Sequence, residues 1–175
     1  MQLNKSSVAL SLLATLALLF GGWFLYEKVQ LEGPIRAQLE QMESASLVHL
    51  QIDREKILID VDVKNPERFP QEYRQLLDKA KDMAGDREVL VTVGNTSQTM
   101  LEIWHKGQFA FTEAVELRKY SRIPELMDDW KAEFQLDAAL ALMDDENVYV
   151  YLKKGTEDFY TIVSRSEQNE VTADA

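Results

Sequence analysis

The chain has 175 residues, 30 acidic and 19 basic side chains, a formal charge of −11 and no cysteine. The missing thiols exclude disulfide frameworks, Cys-ligated zinc, iron–sulfur clusters and cysteine nucleophiles. The negative charge argues against DNA or RNA as a partner, because a phosphate backbone is held by clustered Lys and Arg.

Residues 1–7 form a short N-terminal flank with one charge, Lys5. From Val8 to Tyr26 the sequence runs nineteen residues without a charge, "VALSLLATLALLFGGWFLY". As a helix at about 1.5 Å per residue this reaches about 28 Å, close to the ~30 Å hydrocarbon core of a bilayer. Its Leu, Phe and Val residues each favour insertion by roughly 0.3–0.6 kcal/mol. Trp23 and Tyr26 stand at the downstream end, where aromatic rings prefer the headgroup level. A cleaved signal needs a shorter apolar stretch and small residues before the cut; bulky residues occupy those places in "FGGWFLYEKVQ". The sequence therefore predicts an uncleaved transmembrane anchor over 8–26, a single-pass signal-anchor protein of the cell membrane with the lipid bilayer as partner. Lys5 and the terminal amine on one side nearly balance Lys28 and Arg36 on the other. The export-like position of the segment sets the expected orientation: N-terminus cytoplasmic, C-terminal domain extracytoplasmic. Ser7, Ser11 and Thr15, and Ala17 with Gly21, recur at intervals of four, a spacing that lets helices approach closely and offers a route to a homo-oligomer through the anchor.

Residues 27–46 read as a juxtamembrane helix and linker. Pro34 suits a first helical turn, where its missing N–H would be unpaired anyway. Ile35, Leu39 and Met42 then share a stripe that can pack on the domain or self-associate.

A soluble domain is expected over 47–165. "LVHLQI" (47–52) and "KILIDVDV" (56–63) form a hairpin through "DRE". In the second strand Ile57, Ile59, Val61 and Val63 share one face and Leu58, Asp60 and Asp62 the other. "NPERFPQEYRQLLDKAKDMAG" is a helix, with Asn65 as its N-cap, a buried stripe of Tyr73, Leu76, Leu77, Ala80, Met83 and Ala84, and Gly85 as its stop. "EVLVTVG" (88–94) is a strand. A helix follows from Thr99, whose spacing to Glu102 matches a capping box; Gly107 weakens its middle. A further helix starts near Pro124. "AALALM" (138–143), "VYVYLKK" (148–154) and "DFYTIVSR" (158–165) form a meander, although Ala and Leu would also allow a helix in the first. The tail 166–175 is polar and read as disordered. The order ββαβααβββ predicts an α+β fold: an N-terminal transmembrane helix followed by one small domain, with a mixed, mainly antiparallel sheet and helices packed on one face.

Candidate chemistry is sparse. Asp60 and Asp62 neighbour each other on one strand face, and paired carboxylates can bind metal or act as acid and base; flanked by Lys56 and Lys64, they also suit a wet strand face. "MDDEN" (143–147) lacks the alternate ligand spacing and the glycine of a calcium loop, so it reads as a solvated turn. His49 and His105 stand far apart, without an H-x-x-x-H pair. There is no G-x-S-x-G, S-x-x-K or P-loop. Asn95-Thr96-Ser97 matches a glycosylation pattern that matters only on a eukaryotic secretory route. No catalytic, cofactor-binding or metal residue is assigned and no cofactor is expected. The functional expectation is a membrane-tethered interaction or accessory domain of a cell-envelope protein, not an enzyme. The alternatives are a tethered ligand-binding or sensor domain, and a carboxylate-dependent enzyme.

Overall fold

A computed structural model describes residues 5–94 and 97–165. The tail 166–175, residues 1–4 of the N-terminal flank, and Asn95-Thr96 of the glycosylation pattern lie outside the described residues. The fold is α+β, with five α-helices and two three-stranded sheets: α1 (Lys5–Glu27), a π-helical turn (Lys28–Glu32), α2 (Gly33–Gln41), β1 (Ala45–Ile52), β2 (Lys56–Val63), α3 (Phe69–Ala84), β3 (Glu88–Val93), α4 (Gln98–Glu116), α5 (Arg122–Glu133), β4 (Ala138–Met143), β5 (Asn147–Lys154) and β6 (Glu157–Ser164).

The order of elements from β1 to β6 follows the expectation, and 138–143 is a strand. The single sheet is corrected. One sheet has the order β1-β2-β3, antiparallel then parallel; the other is the antiparallel meander β4-β5-β6. Helices also lie on both faces of the second sheet. Val148, Val150, Leu152 and Phe159 pack with α4 and α5, while Tyr149 and Tyr160 on the opposite face join the core of α3 and the first sheet. The physical reason is visible in "VYVYL". A strand covered on one side alternates, as β2 does, whereas a strand covered on both sides is apolar throughout. The long α4–α5 connection carries the chain across the meander rather than back to the edge of β3.

Two aromatic groups lock these layers. Phe69 and Tyr73 of α3 meet Tyr160 and Tyr149 edge-on, at 5.0 and 5.8 Å between ring centres. On the other face Trp104 stacks near Phe111, Trp130 and Phe159. Offset and edge-on pairs of this kind add roughly 0.5–1.5 kcal/mol each beyond area burial.

Strand β1 departs from simple alternation. Its register with β2 slips between Leu47 and His49, leaving Val48 as the extra residue of a bulge, 60% exposed. The slip puts Leu47, Leu50 and Ile52 on one face opposite Val61, Ile59 and Ile57, which an unbulged strand cannot do.

The membrane-spanning helix is also corrected. Among the described residues no helix is long and apolar enough to cross a membrane. Crossing a ~30 Å hydrocarbon core takes about 20 consecutive, predominantly apolar helical residues. The transmembrane anchor over 8–26, the single-pass signal-anchor topology, the cell-membrane location, the orientation across it and the envelope assignment fall together, because each rested on that span.

Candidate functional site

The outer face of the first sheet holds the residues singled out in the sequence. Strand pairing sets His49 of β1 opposite Asp60 of β2, and Asp60 opposite Thr92 of β3. The Thr92 hydroxyl donates to Asp60, and the Lys64 ammonium pairs with Asp62. The two carboxylates are thus each held by a neighbour on a half-wet face. His105 is exposed on α4, in a different part of the fold. Among the described residues no group of three or more His, Asp or Glu side chains is placed to hold a metal ion.

The better-built polar groups lie elsewhere. Asp144 opens the β4–β5 turn. Its Oδ1 accepts from the backbone N–H groups of Glu146 and Asn147 at 2.8 and 2.7 Å, and its Oδ2 from the Tyr149 hydroxyl at 2.7 Å. Arg165 donates to the Asp144 carbonyl at 2.6 Å and lies over the Tyr120 ring. Burial alone would raise the Asp144 carboxyl; the three donors and the charge of Arg74 outweigh it and hold the group below its ordinary value. Burial and the bond to Asp144 push the Tyr149 phenol far up, so it stays a neutral donor. The "MDDEN" stretch is therefore more than a solvated turn: an Asp accepting from the residues two and three further on is an Asx turn.

A second knot joins the α2–β1 connection to α3. Glu72 Oε2 accepts from the Glu43 N–H at 3.0 Å, the Ser44 N–H at 2.9 Å and the Ser44 hydroxyl at 2.6 Å. The Ser44 carbonyl accepts from Lys64 and Asn65, which ties in the β2–α3 connection. Ser44 is fully buried.

One buried polar atom has no partner among the described residues, the hydroxyl of Tyr160. It sits between Phe69 and Tyr151, and burial raises its phenol. A buried hydroxyl without a bond costs about 1–3 kcal/mol relative to a bonded one. Tyr160→Phe is thus expected to leave stability unchanged or raise it by about 1 kcal/mol in a thermal melt; a clear fall in melting temperature would contradict this assignment.

Two open clefts are lined by described residues. One, of about 440 Å³, lies between α4 and α5 beside Glu113, Lys119 and Arg122; the other, of about 390 Å³, lies between α2 and β1 beside Leu39, Met42 and Leu47. Neither gathers the knots just described.

An exposed apolar surface belongs to α1. Leu10, Leu12, Leu13, Leu16, Leu18, Leu19 and Phe20 are 47–77% exposed and lie all round the helix. An exposed apolar surface of this extent is uncommon on a protein acting alone.

No protein-family model matches the chain, and neither a curated protein nor a solved structure matches it.

Proposed function

We propose that the protein works by contact rather than catalysis, as an interaction module in which α2 to β6 form a folded body and α1 is the element that a partner protein covers. The observation that carries this reading is the leucine-rich surface of α1, exposed on every side. Helices apolar all round are stable when something surrounds them. The polar knots at Asp144 and Glu72 support the reading from the other direction, since their donors and acceptors are spent on holding connections together.

The test uses the full chain expressed at its natural level and cross-linked in cells. The wild type is expected cross-linked to a different protein. Leu12→Gln with Leu16→Gln, both exposed, should release it while moving the melting temperature by no more than about 2 °C. Retention of that protein by the variant would remove α1 from the reading, and a wild type cross-linked to no other protein would remove contact itself. The enzyme alternative is tested alongside with Asp60→Asn and Asp62→Asn, which should leave folding and assembly nearly unchanged, because ion pairs and hydrogen bonds on a half-wet strand face contribute little. Complete loss of cellular function with unaltered melting and assembly would instead assign chemistry to the two carboxylates.

A further inference from the structure

The two edges of the first sheet are unlike. On β1 the bulge at Val48 breaks the ladder, and α2 lies beside its start, where Arg36, Leu39 and Met42 line an open cleft with Ala45, Ser46 and Leu47. These are devices by which edges avoid pairing with other strands. Strand β3 carries no such bulge. Its sequence, Glu-Val-Leu-Val-Thr-Val, contains neither Pro nor Lys, and its register with β2 runs from Glu88 to Val93 without a slip.

The direction of its backbone groups follows from two hydrogen bonds. Glu88 donates its N–H to Glu55 and Gly94 donates its N–H to Val61, both toward β2. The period of two carries the same direction to Leu90 and Thr92. The N–H and C=O groups of Val89, Val91 and Val93 therefore point away from β2, along an edge that no strand pairs among the described residues. The side chains of those three valines are half-buried against the core of the first sheet, and Leu90 is exposed on the other face.

We propose that β3 pairs antiparallel with β3 of a second copy of this chain, with Val91 opposite Val91 on a two-fold axis, giving one continuous six-stranded sheet. The pattern is self-complementary. About that axis Val89 meets Val93 and Leu90 meets Thr92, in both directions. Every outward backbone group of the three valines faces a complementary group, as the hydrogen-bonded pairs of an antiparallel ladder require. Charge selects this arrangement. Glu88, the one charged residue of β3, falls opposite Gly94, whereas parallel pairing in register would set Glu88 beside Glu88. The two-fold axis keeps α3 of both copies on the same face and covers the half-exposed valines between them. This surface is separate from α1, so the proposal does not depend on what covers that helix.

The formal charge of −11 opposes the pairing, which gives it a salt signature. Raising ionic strength from about 0.01 to 0.15 M shortens the screening length from roughly 30 to 8 Å and should tighten the dimer. The test is sedimentation equilibrium on the full chain over a concentration series at both salts. The expected result is a monomer–dimer equilibrium favoured by salt. Val91→Pro removes an outward donor at an edge position and should weaken it about tenfold or more. Should that variant fail to melt cooperatively, Leu90→Lys, on an exposed side chain, carries the same expectation. Because the chain has no cysteine, single substitutions report position directly. Val91→Cys should form a covalent dimer under mild oxidation, since directly opposite residues stand about 5.5 Å apart between Cα atoms, within disulfide reach. Val48→Cys, on the bulged edge, should not. A wild type that stays monomeric in both salts overturns the proposal, including the case where a different protein's strand takes the edge. So does a dimer unaffected by the β3 variants, or equal cross-linking at positions 48 and 91.

Discussion

Gly107→Ala is expected to destabilise the protein by about 3 kcal/mol, against the direction that helix propensity predicts. Gly107 lies inside α4, where Ala is favoured over Gly by about 1 kcal/mol. A Cβ built there would lie 2.0 Å from Trp130 Cζ2 and 2.2 Å from Cε2. These are ring atoms, and the ring has little room to retreat: Trp130 is buried, with Trp104 and Phe111 at 6.0 and 6.3 Å between ring centres. Overpacking a filled core costs typically 1–3 kcal/mol and more where nothing can yield, so packing outweighs propensity. Chemical denaturation of wild type and variant gives the sign at once. Adding Trp130→Leu to Gly107→Ala should recover part of the loss, because the two changes act on one contact. A variant as stable as the wild type would mean that α4 and α5 separate readily, and would place the close approach outside the structural core of the protein.

Glu72→Ala is expected to cost about 3 kcal/mol, or on the order of 10 °C in melting temperature for a chain of this size. The substitution strands the N–H and hydroxyl of buried Ser44 together with the Glu43 N–H, and unties α3 from the α2–β1 connection. It also carries a pH signature. Burial would raise the Glu72 carboxyl, but the hydrogen bonds from Ser44, the charge of Arg68 and the Glu43 N–H together lower it below its ordinary 4.5. A carboxylate depressed in the folded state stabilises fully above its unfolded value, and that contribution is lost as pH falls through the lower folded one. The gap between wild type and Glu72→Ala should therefore be constant above about pH 5 and narrow on acidification below 4.5. Melting curves at several pH values test this; a gap that widens in acid would show that the carboxylate is not the acceptor.

The sequence carried more of this than a first reading extracts. Local pattern was sufficient for the strands: β2 alternates and folds as it alternates, and the "DRE" hairpin closes with the Asp53 N–H on the Lys56 carbonyl. Which strands share a sheet was harder, because that depends on where a two-helix connection deposits the chain. The unbroken apolar run of β5 was the available clue, since it calls for cover on both faces. Gly107 carried a clue as well. It shares the stripe of Ile103, Phe111 and Ala114, and a glycine on a buried stripe marks close approach more than weak propensity. The cap of α4 was displaced by two residues: the Ser97 hydroxyl accepts from the Met100 N–H, so Thr99 lies within the helix. Asn65 does take up N–H groups, those of Glu67 and Arg68, ahead of a helix that becomes regular at Phe69. The Glu72 knot had no sequence signal, since its donors lie 28 and 29 residues away. The pairing of His49 with Asp60 was hidden for a related reason: the bulge shifts the count by one.

That shift also says how the length of the chain is free to vary. Without Val48, β1 would read Ala-Ser-Leu-His-Leu-Gln-Ile, a strict alternation that keeps Leu47, Leu50 and Ile52 on the core and His49 and Gln51 outside. A deletion at this one place conserves every buried contact of the strand, whereas a deletion inside β2 would turn part of the Ile57–Val63 row toward water. A related chain one residue shorter at this point would share the same core, and with its bulge gone would have a second straight edge strand, flanked only at its start by α2.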